Sequence, residues 1–209
     1  MNDSKCKTCR RAGVKLFLRG EKCLSPKCPM VRRPYPPGQK AKRRPSPLSE
    51  YGKELREKQR LKNWYNLKET QFKNYVKAAL GKRGKVEDAA ALLIKTLERR
   101  LDNVVFRLGF APSRPAARQL VSHRHILVNG KPINIPSYLV KNGDKIKIKP
   151  ASAKKNISKN LAITLKKHNP PSWLQLEAEK LEGKVKSQPI VEEAAPPAEV
   201  SSIFEFYSK

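Results

Sequence analysis

Ile126-Leu127-Val128-Asn129-Gly130-Lys131-Pro132-Ile133 is where the hydrophobic period of this 209-residue chain changes from helical to alternating. Asn-Gly flanked by apolar residues signals a tight two-residue hairpin turn. Just upstream, Ser113 caps a helix that accepts Pro115 in its first turn, and Ala117, Leu120 and Val121 share its inner face. An earlier helix over 101–108 stops at Gly109. Downstream, Lys145-Ile146-Lys147-Ile148-Lys149 alternates cationic and apolar residues, so one face is buried and the other charged. Helix, helix, short sheet defines an α+β module over 98–165.

Around this module the periodicity is helical. Ser49 caps a predicted helix from Glu50 to about Tyr65, with Tyr51, Leu55, Leu61 and Trp64 or Tyr65 toward the core. Phe72, Tyr75, Val76, Ala79 and Leu80 fall on one face of a second helix, and Ala90, Leu93, Ile94 and Leu97 on one face of a third. Residues 49–97 are therefore expected to form a helical domain, completed by a C-terminal segment, 166–209, that packs on it and is partly flexible where Pro, Ala and Glu dominate. Trp173-Leu174-Gln175-Leu176 reads as a helix or an irregular docking segment. Ile203-Phe204-Glu205-Phe206-Tyr207 is too apolar to stand free in water and wants a groove. Residues 1–48 complete the division as a cysteine segment followed by an extended, proline-punctuated arm.

Charge narrows the function. Lys and Arg number 46 against 18 Asp and Glu, a net +28, and the excess is concentrated in the first three quarters of the chain. Such a surplus suits a dense polyanion rather than a single acidic substrate. The start has no apolar signal region, and the longest apolar run, Ala89 to Ile94, is too short to span a bilayer. A cytosolic chain with no membrane contact is the expectation. There is no nucleophile–base pair, no G-x-G-x-x-G and no phosphate loop, so neither catalysis nor a small-molecule substrate is expected.

Cys6-x2-Cys9 and Cys23-x4-Cys28 are two chelating pairs, and no cysteine follows them. In a chain without a secretory signal, this spacing predicts a structural four-thiolate metal knuckle rather than disulfides. Zinc is the expected metal; a four-cysteine iron–sulfur cluster would use the same ligands.

The candidate RNA contacts form three groups. Arg10, Arg11, Lys15, Arg32, Arg33, Tyr35, Gln39, Lys40, Lys42, Arg43 and Arg44 lie on the knuckle and arm. Arg56, Lys58, Arg60 and Lys62 fall on the outer face of the first long helix. The third group belongs to the α+β module and follows from a resemblance.

Leu97-Glu98-Arg99-Arg100-Leu101-Asp102-Asn103-Val104-Val105-Phe106-Arg107-Leu108-Gly109-Phe110 resembles the signature of the bacterial-type small-subunit ribosomal proteins numbered four. Ala117-Arg118-Gln119-Leu120-Val121, Val128-Asn129-Gly130, Arg32-Arg33-Pro34-Tyr35-Pro36-Pro37-Gly38-Gln39 and the final Glu205-Phe206-Tyr207-Ser208-Lys209 look like the same family. The resemblance implies an RNA-binding groove at Arg114, Arg118, Gln119, Ser122, His123 and the Asn129-Gly130 turn with Lys131. Arg124 stands where many relatives have glycine, and the added cation suits RNA. It further implies direct binding of small-subunit rRNA, nucleation of assembly, a place where mRNA enters the subunit beside the proteins numbered three and five, and an influence on translational accuracy. The alternative is a free-standing RNA-binding chaperone of ribosomal particles. An RNA-modifying enzyme with the same module would need a catalytic domain for which 209 residues leave no room.

Overall fold

The computed structural model describes residues 4–38, 47–82, 88–153 and 161–208. In chain order these form α1 (Ser4–Ala12), α2 (Glu21–Leu24), α3 (Pro29–Arg32), α4 (Glu50–Trp64), α5 (Glu69–Leu80), α6 (Ala89–Glu98), α7 (Leu101–Arg107) and α8 (Arg114–Ser122). Then come β1 (Ile126–Val128), β2 (Lys131–Pro132), β3 (Lys145–Ile148), α9 (Pro150–Ala153), α10 (Leu161–Lys166), β4 (Leu174–Glu177), β5 (Glu182–Val185), α11 (Val191–Ala194) and α12 (Val200–Ser208). Helices mix with one antiparallel sheet, the α+β class. The chain divides into two units, one built from 1–93 and 195–209, the other from 94–194. Among the described residues no helix is long and apolar enough to cross a membrane.

The first unit is helical. Ser49 Oγ accepts a hydrogen bond from the Gly52 N–H at 3.2 Å and starts α4 as its sequence predicts. The inner face of α4 holds Leu61 and Trp64 as expected, but its N-terminal half differs. Glu54, Lys58, Leu61 and Trp64 face inward, while Tyr51 remains 58% exposed. The reason is α12, the apolar C-terminal segment, which lies against α4 and α5 with Ile203 fully buried. Phe206 meets the Tyr51 ring at 5.4 Å, so a partner distant in sequence sets the phase of α4.

In the second unit the strands run in the order β2-β1-β3-β5-β4, with every neighbouring pair antiparallel. Asn129 and Gly130 take φ of 50° and 80°, the left-handed pair that a two-residue hairpin needs. Register sets Ile126 opposite Ile148 and Leu174 opposite Val185. The inward residues Ile126, Val128, Ile146, Ile148 and Val185 form one core with Leu101, Val104, Val105, Leu108, Ala117 and Val121 of α7 and α8.

Here the expected domain limits need correction. Residues 166–194 belong to the second unit, not to the helical one, and only 195–209 returns to the first. Trp173-Leu174-Gln175-Leu176 is neither helix nor docking segment: it leads into β4, with Trp173 at 1% exposure in the sheet unit's core. Leu181, at φ 50°, turns the chain between β4 and β5, a position where Asn or Gly would have signalled the hairpin. Gly183 is required by packing, since a Cβ there would stand 2.5 Å from Leu108.

Candidate nucleic-acid interface

On the sheet unit, Gln119, Ser122, His123 and Arg124 are exposed along and just after α8, and Asn129 and Lys131 are exposed at the hairpin. The His123 and His125 rings stack with centroids 6.0 Å apart. Arg124 adopts φ 59°, the backbone conformation that glycine supplies without strain. Asn129 holds its own turn, donating to Asp144 Oδ1 at 2.8 Å and accepting from the Lys145 N–H at 2.9 Å.

Arg114 and Arg118 do not share that surface. Arg114 is 5% exposed, donates from Nε to Asn103 Oδ1 at 2.8 Å, and lies over the Phe106 ring at 4.6 Å. Arg118 is half-buried, and its Nη2 donates to Asp102 Oδ2 at 2.7 Å. Arg100, at 1% exposure, grips the same carboxylate at 2.8 Å. Alongside, Glu98 accepts from Arg107 and from Asn103 Nδ2. A buried carboxylate is tolerable only when paired and hydrogen-bonded, so these arginines hold the unit together. Of the residues expected to line the groove, Arg114 is thus buried and Arg118 half-buried in an ion pair, while Gln119, Ser122, His123 and Arg124 are exposed.

On the helical unit, Arg11, Lys15, Arg32, Arg33, Tyr35 and Arg56 are exposed. The other expected α4 cations turn inward. Lys58 is 5% exposed, donates to Glu69 Oε1 at 2.7 Å and lies over the Phe206 ring at 4.5 Å. Lys62 reaches Glu69 Oε2 at 2.9 Å, and Arg60 Nε donates to the Ala12 carbonyl at 3.0 Å. Lys58 is therefore corrected from a surface contact to a buried tie, with Arg60 and Lys62 half-buried beside it. Tyr207 adds a hydroxyl donor to Glu69 at 2.8 Å. Burial raises the Glu69 carboxyl, but the hydrogen bonds from Lys58, Lys62 and Tyr207 outweigh it and hold the group at about 2. Burial, then the adjacent Glu69 carboxylate, pushes the Tyr207 hydroxyl upward.

Cys6, Cys9, Cys23 and Cys28 are all buried free thiols lining one cleft with Leu16, Phe17 and Leu18. The Arg19 backbone N–H donates to Cys23 Sγ at 3.4 Å, and Arg19 Nη1 points to Cys6 Sγ at 3.9 Å. Burial pushes the Cys9 and Cys23 thiols up, and the neighbouring sulfurs add to it, while backbone N–H groups of Leu16 and Arg19 oppose it. Among the described residues, no three His, Cys, Asp or Glu side chains are grouped so as to hold a metal ion. The donor chemistry nonetheless suits a thiophilic ion: four sulfurs on one cleft, with N–H donors aimed at two of them. Gln39, Lys40, Lys42, Arg43 and Arg44 lie outside the described residues.

Two family models divide most of the chain between them. A model described as "Ribosomal protein S4/S9 N-terminal domain" matches residues 1–98, and an "S4 domain" model matches 99–146. The small ribosomal subunit protein uS4 of Caldicellulosiruptor bescii is 49% identical over 98% of this chain and 96% of its own length. The uS4 protein of Syntrophus aciditrophicus is 46% identical over 99% and 98%, and that of Thermus thermophilus 45% over 98% and 96%. The chain belongs to the uS4 family.

The uS4 family comprises structural proteins of the ribosome, not enzymes. The stretch that carries the resemblance most strongly, 97–110, is largely buried and holds the Glu98 and Asp102 networks. In this chain, therefore, that stretch serves mainly packing. One buried-side residue escaped the sequence reading. His168 Nε2 lies 2.8 Å from the Arg107 carbonyl at the end of α7, and its ring leaves no room for a side chain at Gly109. A lone histidine far from α7 in sequence gives no signal for that role.

Proposed function

We propose that this chain binds small-subunit rRNA directly and is a structural constituent of the small ribosomal subunit in the cytoplasm. The observation that carries the reading is the near full-length similarity to uS4 proteins, which are named as proteins of the small ribosomal subunit. The exposed cations and hydrogen-bonding side chains of both units supply the physical means. Lys and Arg neutralise phosphates and release counterions, which gives affinity without sequence reading. Gln119, Ser122 and the stacked His123 then fit a folded RNA by shape and by contacts to sugars and bases. No bond is made or broken: the residues bind, orient and exclude water.

The finer reading has the protein bind early and nucleate assembly, lie where mRNA enters the subunit beside the proteins numbered three and five, and affect translational accuracy. Its test is reconstitution of small subunits from rRNA and purified proteins with this one omitted. Particles should stall at an early, slow-sedimenting stage; normal particles would refute the nucleating role.

The four thiols are proposed to hold a structural metal ion, with zinc favoured by the all-sulfur donor set. Such an ion would supply folding energy, not reactivity, to a segment whose core is small. Elemental analysis of anaerobically purified protein should find about one bound metal per chain. Its removal by a chelator should melt the short helices of residues 4–38 as read by amide hydrogen exchange. Metal-free protein with that protection intact would refute the proposal.

A further inference from the structure

Beside the thiols, a second cleft of about 460 Å³ opens on the helical unit, within the size range of small-ligand pockets. Cys6 and Pro29 contribute to its lining. Lys7, Arg10, Lys22, Lys27, Arg32 and Arg33 line it, and among the described residues no acidic side chain does. These six cations come from three separate short helices and the turns between them. They converge because the cysteine segment folds back on itself. Between residues 4 and 49 the only acid is Glu21, which is exposed and outside the cleft.

Arg10 differs from the other five. Its Nε donates to the Tyr35 carbonyl at 2.8 Å, and its guanidinium lies over the Tyr35 ring at 4.9 Å. It fixes the chain just after Arg32 and Arg33 and so holds those two at the rim. Charges that merely solvate a surface alternate in sign. Here like charges are brought together around a concavity, an arrangement that costs repulsion until an anion enters.

We infer that this cleft is a subsite for closely spaced phosphates, taken by Lys7, Lys22, Lys27, Arg32 and Arg33 with Arg10 as the positioning residue. The ligand chemistry is several phosphates within one small volume, as in a sharply turned RNA backbone or a free polyphosphate. The RNA source rests on the rRNA reading above; the subsite itself does not.

The test compares full-length wild type with Lys22→Gln/Lys27→Gln/Arg32→Gln and with a control that removes equal charge from exposed positions elsewhere, Lys53→Gln/Lys73→Gln/Lys77→Gln. Calorimetry with inorganic tripolyphosphate should show one saturable site in wild type and control. The cleft variant should lose about tenfold or more in affinity. A charge-preserving Lys22→Arg/Lys27→Arg form should retain binding, which separates lost charge from lost fold. With 5′-domain rRNA, phosphate-ethylation interference should lose one compact cluster of positions in the cleft variant and none in the control. Equal loss in cleft variant and control, or no saturable tripolyphosphate site, overturns the subsite. Tripolyphosphate binding as expected, with no rRNA preference in wild type, would sustain the subsite with a free polyphosphate as its ligand. That outcome would remove the rRNA reading instead.

Discussion

Asp102 shows how a charge pattern divides between stability and recognition. Arg100 and Arg118 both grip its carboxylate inside the sheet unit, within 3.1 Å. Removing one partner of a buried pair leaves the other unpaired, so Asp102→Ala should cost about 3–5 kcal/mol of that unit's stability, measured by urea unfolding. Arg114→Ala should likewise lower stability while leaving the salt dependence of RNA binding unchanged, because its guanidinium lies over Phe106 rather than at the surface. Sequence supplies the arginines but not which of them turn inward. That depends on Glu98, Asp102 and Asn103, two to sixteen residues away, whose burial no local pattern announces. Arg124 was more legible. Its φ of 59° is a conformation that glycine adopts without strain, in keeping with the glycine that the resemblance implies in many relatives. Arg124→Gly should therefore raise stability slightly, by up to about 1 kcal/mol, and weaken RNA binding by one cation.

At the scale of elements, what was legible had a local signal. Ser49 and Ser113 announced α4 and α8, Asn129-Gly130 the first hairpin, and the Lys-Ile alternation β3. The second hairpin had none, since Leu181 occupies its left-handed position and β4 is only four residues long. Part of the inner face of α4 was also hidden, because α12 comes from the far end of the chain to cover Glu54 and Lys58. That contact has a measurable pH signature. Glu69 joins α4, α5 and α12, and its folded value of about 2 lies below its ordinary 4.5. A depressed carboxylate stabilises fully above the ordinary value, and the contribution is lost as pH falls from about 5 through 2. The Glu69 side chain is 44% exposed, so solvent limits the effect to about 1 kcal/mol or less. Melting temperature of wild type should fall more steeply than that of Glu69→Gln across this window; parallel curves would show that Glu69 contributes nothing.

For the whole molecule, a net charge of +28 sets the class of partner. The structure refines it by withdrawing Lys58, Arg60, Lys62, Arg114 and Arg118 into internal contacts. Among the described residues, the expected contacts that stay exposed include Arg32 and Arg33 at the cationic cleft, Arg11, Lys15 and Arg56, and the α8 face. A polycation alone binds any RNA and is stripped from it by salt, whereas a fitted surface keeps a preference after the counterion contribution has been screened. The most direct measurement is therefore the affinity of the full chain for small-subunit 5′-domain rRNA and for an unrelated structured RNA of equal length, across a salt series. A preference for the rRNA that persists at physiological salt is the predicted result. Equal affinities that fall together with salt would contradict the proposed function.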